Sequence, residues 1–303
     1  MMINRIQPVC LLFGANGQVG FELRRALALD YSVIAMDRHQ CDMSDGNAIS
    51  LAIQTIRPVL IVNAAAYTAV DKAEEEQALA YSVNSTALEV IAREAKKIHA
   101  AIVHYSTVFV FDGTSNIPYQ ETDGTNALNV YGQSKLLGEQ ALIKCLGKDY
   151  PLWILRASWV YGVHGNNFLK QMINLACSRT SLSVVSDETG VPISASLIAD
   201  LTTRLLQIRP APGIYHMSCA GETNRFEYAK YVIEQAVRFG LPVKTPPSQI
   251  MPVSTESFKA LAKRPKNILM ECSKLSEALS INLPNWCFGV EKAVHVIAEN
   301  QIK

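Results

Sequence analysis

Short uninterrupted apolar runs alternate with longer stretches of helical period through the first half of the chain. Val9–Phe13, Tyr31–Met36, Val59–Val62, Ala101–Tyr105 and Trp153–Arg156 are too short for buried helices and read as strands. Asp42-Met43 closes a further strand between the second and the Val59 run, and residues 47–57 read as a helix stopped by Pro58. Asp71 to Glu76 opens a long helix running to about Ala100, its acids favoured at a helix N-terminus. Asn84 is a polar residue inside that helix, either a satisfied buried amide or a functional one. Residues 112–129 hold glycines, a proline and several Asn and Thr, and form a long loop before the helix that begins near Tyr131. Such an order predicts an α/β fold, a Rossmann-type doubly wound parallel sheet.

Beyond residue 165 the pattern is less regular. Helices are expected over 167–178, 196–208 and 223–239, with one more from about Gly289. Short strands are expected at Leu182–Val185 and Gly213–Met217. Pro210-Ala-Pro-Gly213 and the prolines between Leu241 and Pro252 break the chain.

The junction at residues 11–20 carries the first chemistry. A strand meets Gly14, Gly17 and Gly20 and then a helical pattern from Phe21, the order that seats a dinucleotide pyrophosphate on a helix N-terminus. Asn16, Gln18 and Val19 fill the turn between the glycines. Asp37 and Arg38 end the next strand, where an acid suits the ribose hydroxyls and an arginine a 2′-phosphate. NADH and NADPH both remain open, and a solvated charge pair is the plain alternative. Asp42 and Met43 offer a polar and an apolar contact to an adenine. Ala64, Ala65 and Ala66 let a flat ligand lie against the backbone.

Tyr131 and Lys135 stand four apart and share a helical face. A nearby ammonium favours the phenolate, so the pair can pass a proton to or from a carbonyl or alcohol oxygen. Thr107, at the end of the Ala101 strand, can donate to such an oxygen.

Composition narrows the class. The 303 residues are 49% apolar and 18% charged with a net charge of +1, so no basic field draws nucleic acid or an anionic membrane. Met1 leads directly toward the first strand without the pattern of a signal peptide, and no apolar stretch approaches the roughly 20 residues of a membrane helix. Seven scattered cysteines with no C-x-x-C pair fit neither a disulfide frame nor a zinc site. A soluble cytoplasmic protein is expected.

Several stretches together resemble the extended short-chain dehydrogenase/reductases, and within them the dTDP-4-dehydrorhamnose reductases. They are Gly14–Gly20, Val62–Glu74, His104–Thr107, Asn129–Lys135, Arg156–Gly162 and Gly165–Phe168. The resemblance implies that NADPH or NADH reduces the C4 carbonyl of dTDP-4-dehydro-6-deoxy-L-mannose to dTDP-L-rhamnose. It makes Tyr131 the general acid and has Lys135 lower its pKa and hold the nicotinamide ribose. Thr107 would orient the carbonyl and Tyr105 would join the cofactor residues. It places Trp159 and the residue at 108 against the sugar, a core tryptophan being the alternative for Trp159. Arg264 would face the diphosphate or form a surface salt bridge. It implies a mainly NAD(P)-binding domain over 1–165, with parts of 185–220 returning to it, and a mainly sugar-nucleotide lobe over 166–303. The protein would be a monomer or homodimer.

Four positions depart from the family pattern. Val108 stands where an aspartate is usual, Ile193 for a threonine and Ile268 for a common serine. Ser196 stands where some members use a glutamate on magnesium at a dimer contact. Glu22 alone is a poor cage for a hard cation, so no metal is expected. The open alternatives are a reductase of another nucleotide-linked 4-keto-6-deoxy sugar and a non-catalytic, cofactor-binding regulatory relative.

Overall fold

A computed structural model describes residues 7–302. Its centre is a six-stranded, wholly parallel sheet. In chain order the strands are β1 (Val9–Phe13), β2 (Ser32–Met36), β3 (Leu60–Asn63), β4 (Ala101–Thr107), β5 (Leu152–Ala157) and β10 (Gly213–Met217). Across the sheet they run β10-β5-β4-β3-β1-β2. The chain leaves β1 toward β2 and returns to its other side as β3, so the strand order reverses at β1. A crevice opens there at the carboxyl ends of β1 and β3, where such sheets bind ligands.

Successive residues of the inner strands enter opposite cores. Cys10 and Leu12 face one apolar cluster, and Leu11 and Phe13 the other. Helices α1 (Gln18–Leu27), α7 (Phe168–Ser178) and α8 (Ala195–Ile208) supply the first cluster. Helices α2 (Gly46–Ile56), α5 (Ala87–Ile98) and α6 (Val130–Leu146) supply the second. Burial on both faces explains why these strands read as continuous apolar runs rather than alternating ones.

No strand ends at Asp42-Met43. The N–H groups of Gln40 and Cys41 return to the carbonyl of Asp37, and Asp42 accepts from the N–H and hydroxyl of Ser44. Side chains that satisfy the local backbone favour turns over a ladder. Asp45 then caps α2. The expected long helix after Asp71 is instead α3 (Val70–Glu75), α4 (Gln77–Tyr81), a π-turn at Ser82–Thr86 and α5. Asn84 sits in the π-turn. Its amide accepts from the N–H of Tyr67 at 2.9 Å and donates to that residue's carbonyl at 3.0 Å and to the Ser134 hydroxyl at 2.9 Å. Asn84 is therefore a satisfied buried amide that ties the β3–α3 loop to α6.

The remaining elements form a smaller layer over the carboxyl edge. They are β6 (Val160–Tyr161), β7 (Leu182–Val185), β8 (Thr189–Gly190), β9 (Ile193–Ser194), β11 (Thr223–Asn224), α9 (Arg225–Arg238), β12 (Ile250–Val253), α10 (Ser273–Leu279) and α11 (Trp286–Ile302). Strand β12 pairs with β7 in parallel, with Pro252 on this two-stranded edge. Neither β12 nor α10 was expected, and α11 begins three residues before Gly289.

A buried ion pair ties α6 to the sheet. Glu139 receives Arg156 through Nε at 3.0 Å and Nη2 at 2.7 Å, and Ser106 donates to the same carboxylate. Both charged side chains are nearly inaccessible. Removing one partner strands the other charge in a low-dielectric interior. Glu139→Ala is expected to cost about 3–5 kcal/mol in urea unfolding, and the double variant Glu139→Met/Arg156→Met to recover most of that loss.

Candidate active site

Gly14 leaves β1 with φ +82°, a conformation that disfavours a side chain, and a Cβ there would lie 2.5 Å from the Ala65 backbone nitrogen. This close approach brings the glycine turn against Ala64–Ala66. No side chain caps α1 at Gly17, and its first turn carries no acid, so its leading N–H groups are left for an anion. Between the two segments lies a cleft of about 240 Å³. Gly14, Asn16 and Gly17 line one wall, Ala64 to Ala66 the other, and Asp37, Arg38, Asp42 and Met43 close one end. Asn16 donates to Asp37 at 2.7 Å, while Arg38 leans toward Asp42 at 3.5 Å. The glycine cradle and these polar ends fit a dinucleotide.

Cys41, Tyr67, Leu79 and Val83 also line the cleft, and sequence reasoning missed them. Leu79 and Val83 lie where one continuous helix was expected, and the break turns them inward. Gln18 accepts from Asn167 at 2.9 Å, tying the turn to the loop before α7. Val19 packs on the first core, and Gly20 is buried where a Cβ would collide with the Gly14 carbonyl.

The proton-transfer residues stand at the carboxyl edge of the sheet. Asn129 caps α6 by accepting from the Gly132 N–H at 2.8 Å. Gly132 lies under the Phe109 carbonyl with no room for a Cβ, which lets α6 close on the segment after Thr107. Thr107 Oγ1 accepts from the Phe109 N–H at 3.1 Å and lies near enough to Tyr131 to act on its phenol, whose ring meets Phe109 edge-on at 5.9 Å. Tyr131 shares a small apolar cluster with Tyr67, itself a wall of the cleft. Burial pushes the phenol above its ordinary pKa, and Thr107 opposes the rise.

Lys135 is 2% exposed. Its ammonium donates to the Tyr105 carbonyl at 2.6 Å and lies 3.3 Å from His104 Nε2. Burial lowers its pKa to about 8, against the pull of Glu139. The ammonium is aimed at the Tyr105 carbonyl, and Thr107 is the group that draws the Tyr131 phenol down.

Two further expectations are corrected. Tyr105 turns its side chain away, its hydroxyl pairing with Thr202 at 2.6 Å; only its carbonyl serves the site, through Lys135. Val108 is fully buried among Val110, Phe111, Tyr119, Ile268 and Met270, and so offers a sugar no surface. Ile268, the other apolar replacement noted in the sequence, packs in the same cluster. Ile193 is likewise fully buried.

Trp159 is half-buried with φ +41° and packs between both clusters. The Arg225 guanidinium lies 4.0 Å over its ring and pairs with Glu188 at 3.4 Å. Arg264 donates to Asp71 at 2.6 Å, the salt bridge that was one of its two readings. Ser196 bonds Ser194 at 3.1 Å, and Glu22 lies 4.0 Å from Arg25.

Comparison with known proteins decides the family. The RmlD substrate binding domain matches residues 9–299. The dTDP-4-dehydrorhamnose reductase of Escherichia coli strain K12 is 41% identical over 293 residues, spanning 94% of this chain and 96% of the relative. The same-named protein of Salmonella typhimurium is 42% identical over 290 residues, 93% and 95% of the two chains. The chain belongs to the dTDP-4-dehydrorhamnose reductase family.

It is thus an NAD(P)H-dependent oxidoreductase. A Bacillus anthracis reductase of this family, solved in complex with NADP, superposes with a TM-score of 0.87 at 34% identity, covering 95% of this chain and 98% of that one. A Thermus thermophilus UDP-glucose 4-epimerase shares the fold alone, with a TM-score of 0.79 at 18% identity. Among the described residues, no helix is long and apolar enough to cross a membrane.

The Gly132 contact gives a direct test of how Tyr131 is placed. Gly132→Ala should push α6 away from Phe109 and cut kcat by about 10- to 100-fold, the range expected for a displacement near 1 Å. NADPH affinity, measured by calorimetry, should stay close to wild type because the cleft walls do not include residue 132.

Proposed function

We propose that the protein reduces the C4 carbonyl of dTDP-4-dehydro-6-deoxy-L-mannose to dTDP-L-rhamnose. The observation that carries this reading is the meeting of Thr107 and Tyr131 beside the dinucleotide cleft, in a chain matching the named reductases over nearly its whole length. The glycine turn, Asp37 and Arg38 would hold NADPH or NADH, which would supply the hydride. Tyr131 protonates the oxygen as charge develops on it, and Thr107 donates to the same oxygen and orients the carbonyl. Lys135 restores the proton to Tyr131. Trp159 and Arg264 are the groups for the sugar nucleotide; Arg264 would exchange part of its Asp71 contact for phosphate oxygens. Residues 1–165, with parts of 185–220 returning to the same sheet, are the part that would mainly carry the cofactor, and the rest of 166–303 most of the sugar-nucleotide contacts.

Val108 and Ile193 stand where related reductases carry an aspartate and a threonine, and the loss of those polar groups favours a second reading, in which the same chemistry serves a different 4-keto-6-deoxy sugar. NMR of the product distinguishes the two. In steady-state assays with dTDP-4-dehydro-6-deoxy-L-mannose, Tyr131→Phe should lower kcat by about 10²- to 10⁴-fold while NADPH still binds. Equal activity in the variant would remove Tyr131 from the proton-donor role.

A further inference from the structure

His104 is a buried histidine that the proton transfer described above does not use. It lies on β4, 1% exposed, with Asn63 of β3 on one side and Lys135 on the other. The ionisable groups acting on Lys135 are Glu139 on its own helix and His104 on the sheet, and Tyr131 stands one turn before it on α6. Glu139 is itself engaged by Arg156 of β5.

Hydrogen-bond accounting fixes the tautomer. The Asn63 side-chain oxygen accepts from the N–H of Ala65 at 3.1 Å, so its NH₂ must be the end that faces His104 Nδ1 at 3.2 Å. An amide NH₂ can only donate, so Nδ1 accepts and the ring proton sits on Nε2. Nε2–H then points at Lys135 Nζ, 3.3 Å away. Against an ammonium this sets donor against donor. Against a neutral amine it makes a proper hydrogen bond to the lone pair, while the amine still donates to the Tyr105 carbonyl at 2.6 Å.

We propose that His104 is a positioning residue that stabilises the neutral amine of Lys135, the form left after the lysine has returned a proton to Tyr131. The proposal rests on the reductase reading for its place in the cycle, but the tautomer follows from geometry alone. The proton balance is simple. Tyr131 gives its proton to the substrate oxygen, the Lys135 ammonium gives one to the phenolate, and the amine regains one from solvent. His104 keeps its proton throughout and donates a hydrogen bond. Burial and the nearby lysine keep the imidazole neutral well below its ordinary pKa, consistent with a fixed donor rather than a titrating relay.

The first test is two-bond ¹H–¹⁵N correlation NMR on the full-length protein, with His104 assigned by its loss in His104→Gln. The expected signal is a neutral ring protonated at Nε2 and unchanged between about pH 6 and 8, across the ordinary histidine pKa. A ring protonated at Nδ1, or one titrating near 6.5, overturns the proposal. The second test is the pH profile of kcat. His104→Leu removes the donor, so the Lys135 limb should move up by about one unit and kcat should fall, with KM for the sugar nucleotide little changed. His104→Gln, which retains an N–H, should restore part of the profile. A raised KM with an unmoved pH profile would reduce His104 to packing. Absence of turnover in the wild-type protein would instead defeat the reductase reading and leave the NMR result standing.

Discussion

An amine taken out of water at Lys135 is the constraint around which the site is built. Its desolvation has to be met by fixed partners, and three elements supply them. Strand β4 brings the Tyr105 carbonyl and the His104 ring. Helix α6 brings Glu139 one turn on. Strand β5 brings Arg156, which holds that carboxylate in place. The ammonium is left partly satisfied and easily deprotonated. A lysine with a full carboxylate partner would hold its proton, and a lysine in water would not be pre-aimed.

The second constraint is close packing of backbone on backbone. At Gly14 the strand end meets Ala65, and at Gly132 the helix meets the Phe109 carbonyl. The first contact makes the crevice that a dinucleotide can enter; the second sets Tyr131 against Thr107. Both lie at carboxyl ends of parallel strands, so the cofactor cleft and the proton-transfer group share one edge of the sheet. The loop over residues 111–129 is ordered from beneath: His216 donates through its backbone N–H to Glu121 at 2.9 Å, and its ring bonds the Tyr119 carbonyl at 3.0 Å.

The sheet strands were legible because burial on both faces leaves unbroken apolar runs, and the cofactor cleft because glycine spacing reports a backbone requirement. Ten residues expected at the cofactor, from Gly14 to Ala66, do line one cleft. The false strand at Asp42 came from reading a turn as a strand end, since Asx-type hydrogen bonds have no periodicity to reveal them. The break at Glu76 and the π-turn at Asn84 were hidden because residues 71–100 have good helical composition throughout. Tertiary contacts with Tyr67 and Ser134 impose the break. The orientations of Tyr105 and Val108 depend on which face of a strand or turn they occupy, which a motif match does not report. His104 lay inside a recognised motif, but its partner Asn63 is 41 residues away and the pairing exists only in the sheet.

The most direct test of the account is the fate of the transferred hydride. The protein is incubated with dTDP-4-dehydro-6-deoxy-L-mannose and NADPH or NADH deuterated at the transferring position, and the product is analysed by NMR. The account predicts dTDP-L-rhamnose carrying deuterium at C4. Cofactor that binds but stays reduced, or a product with no deuterium at C4, would contradict it.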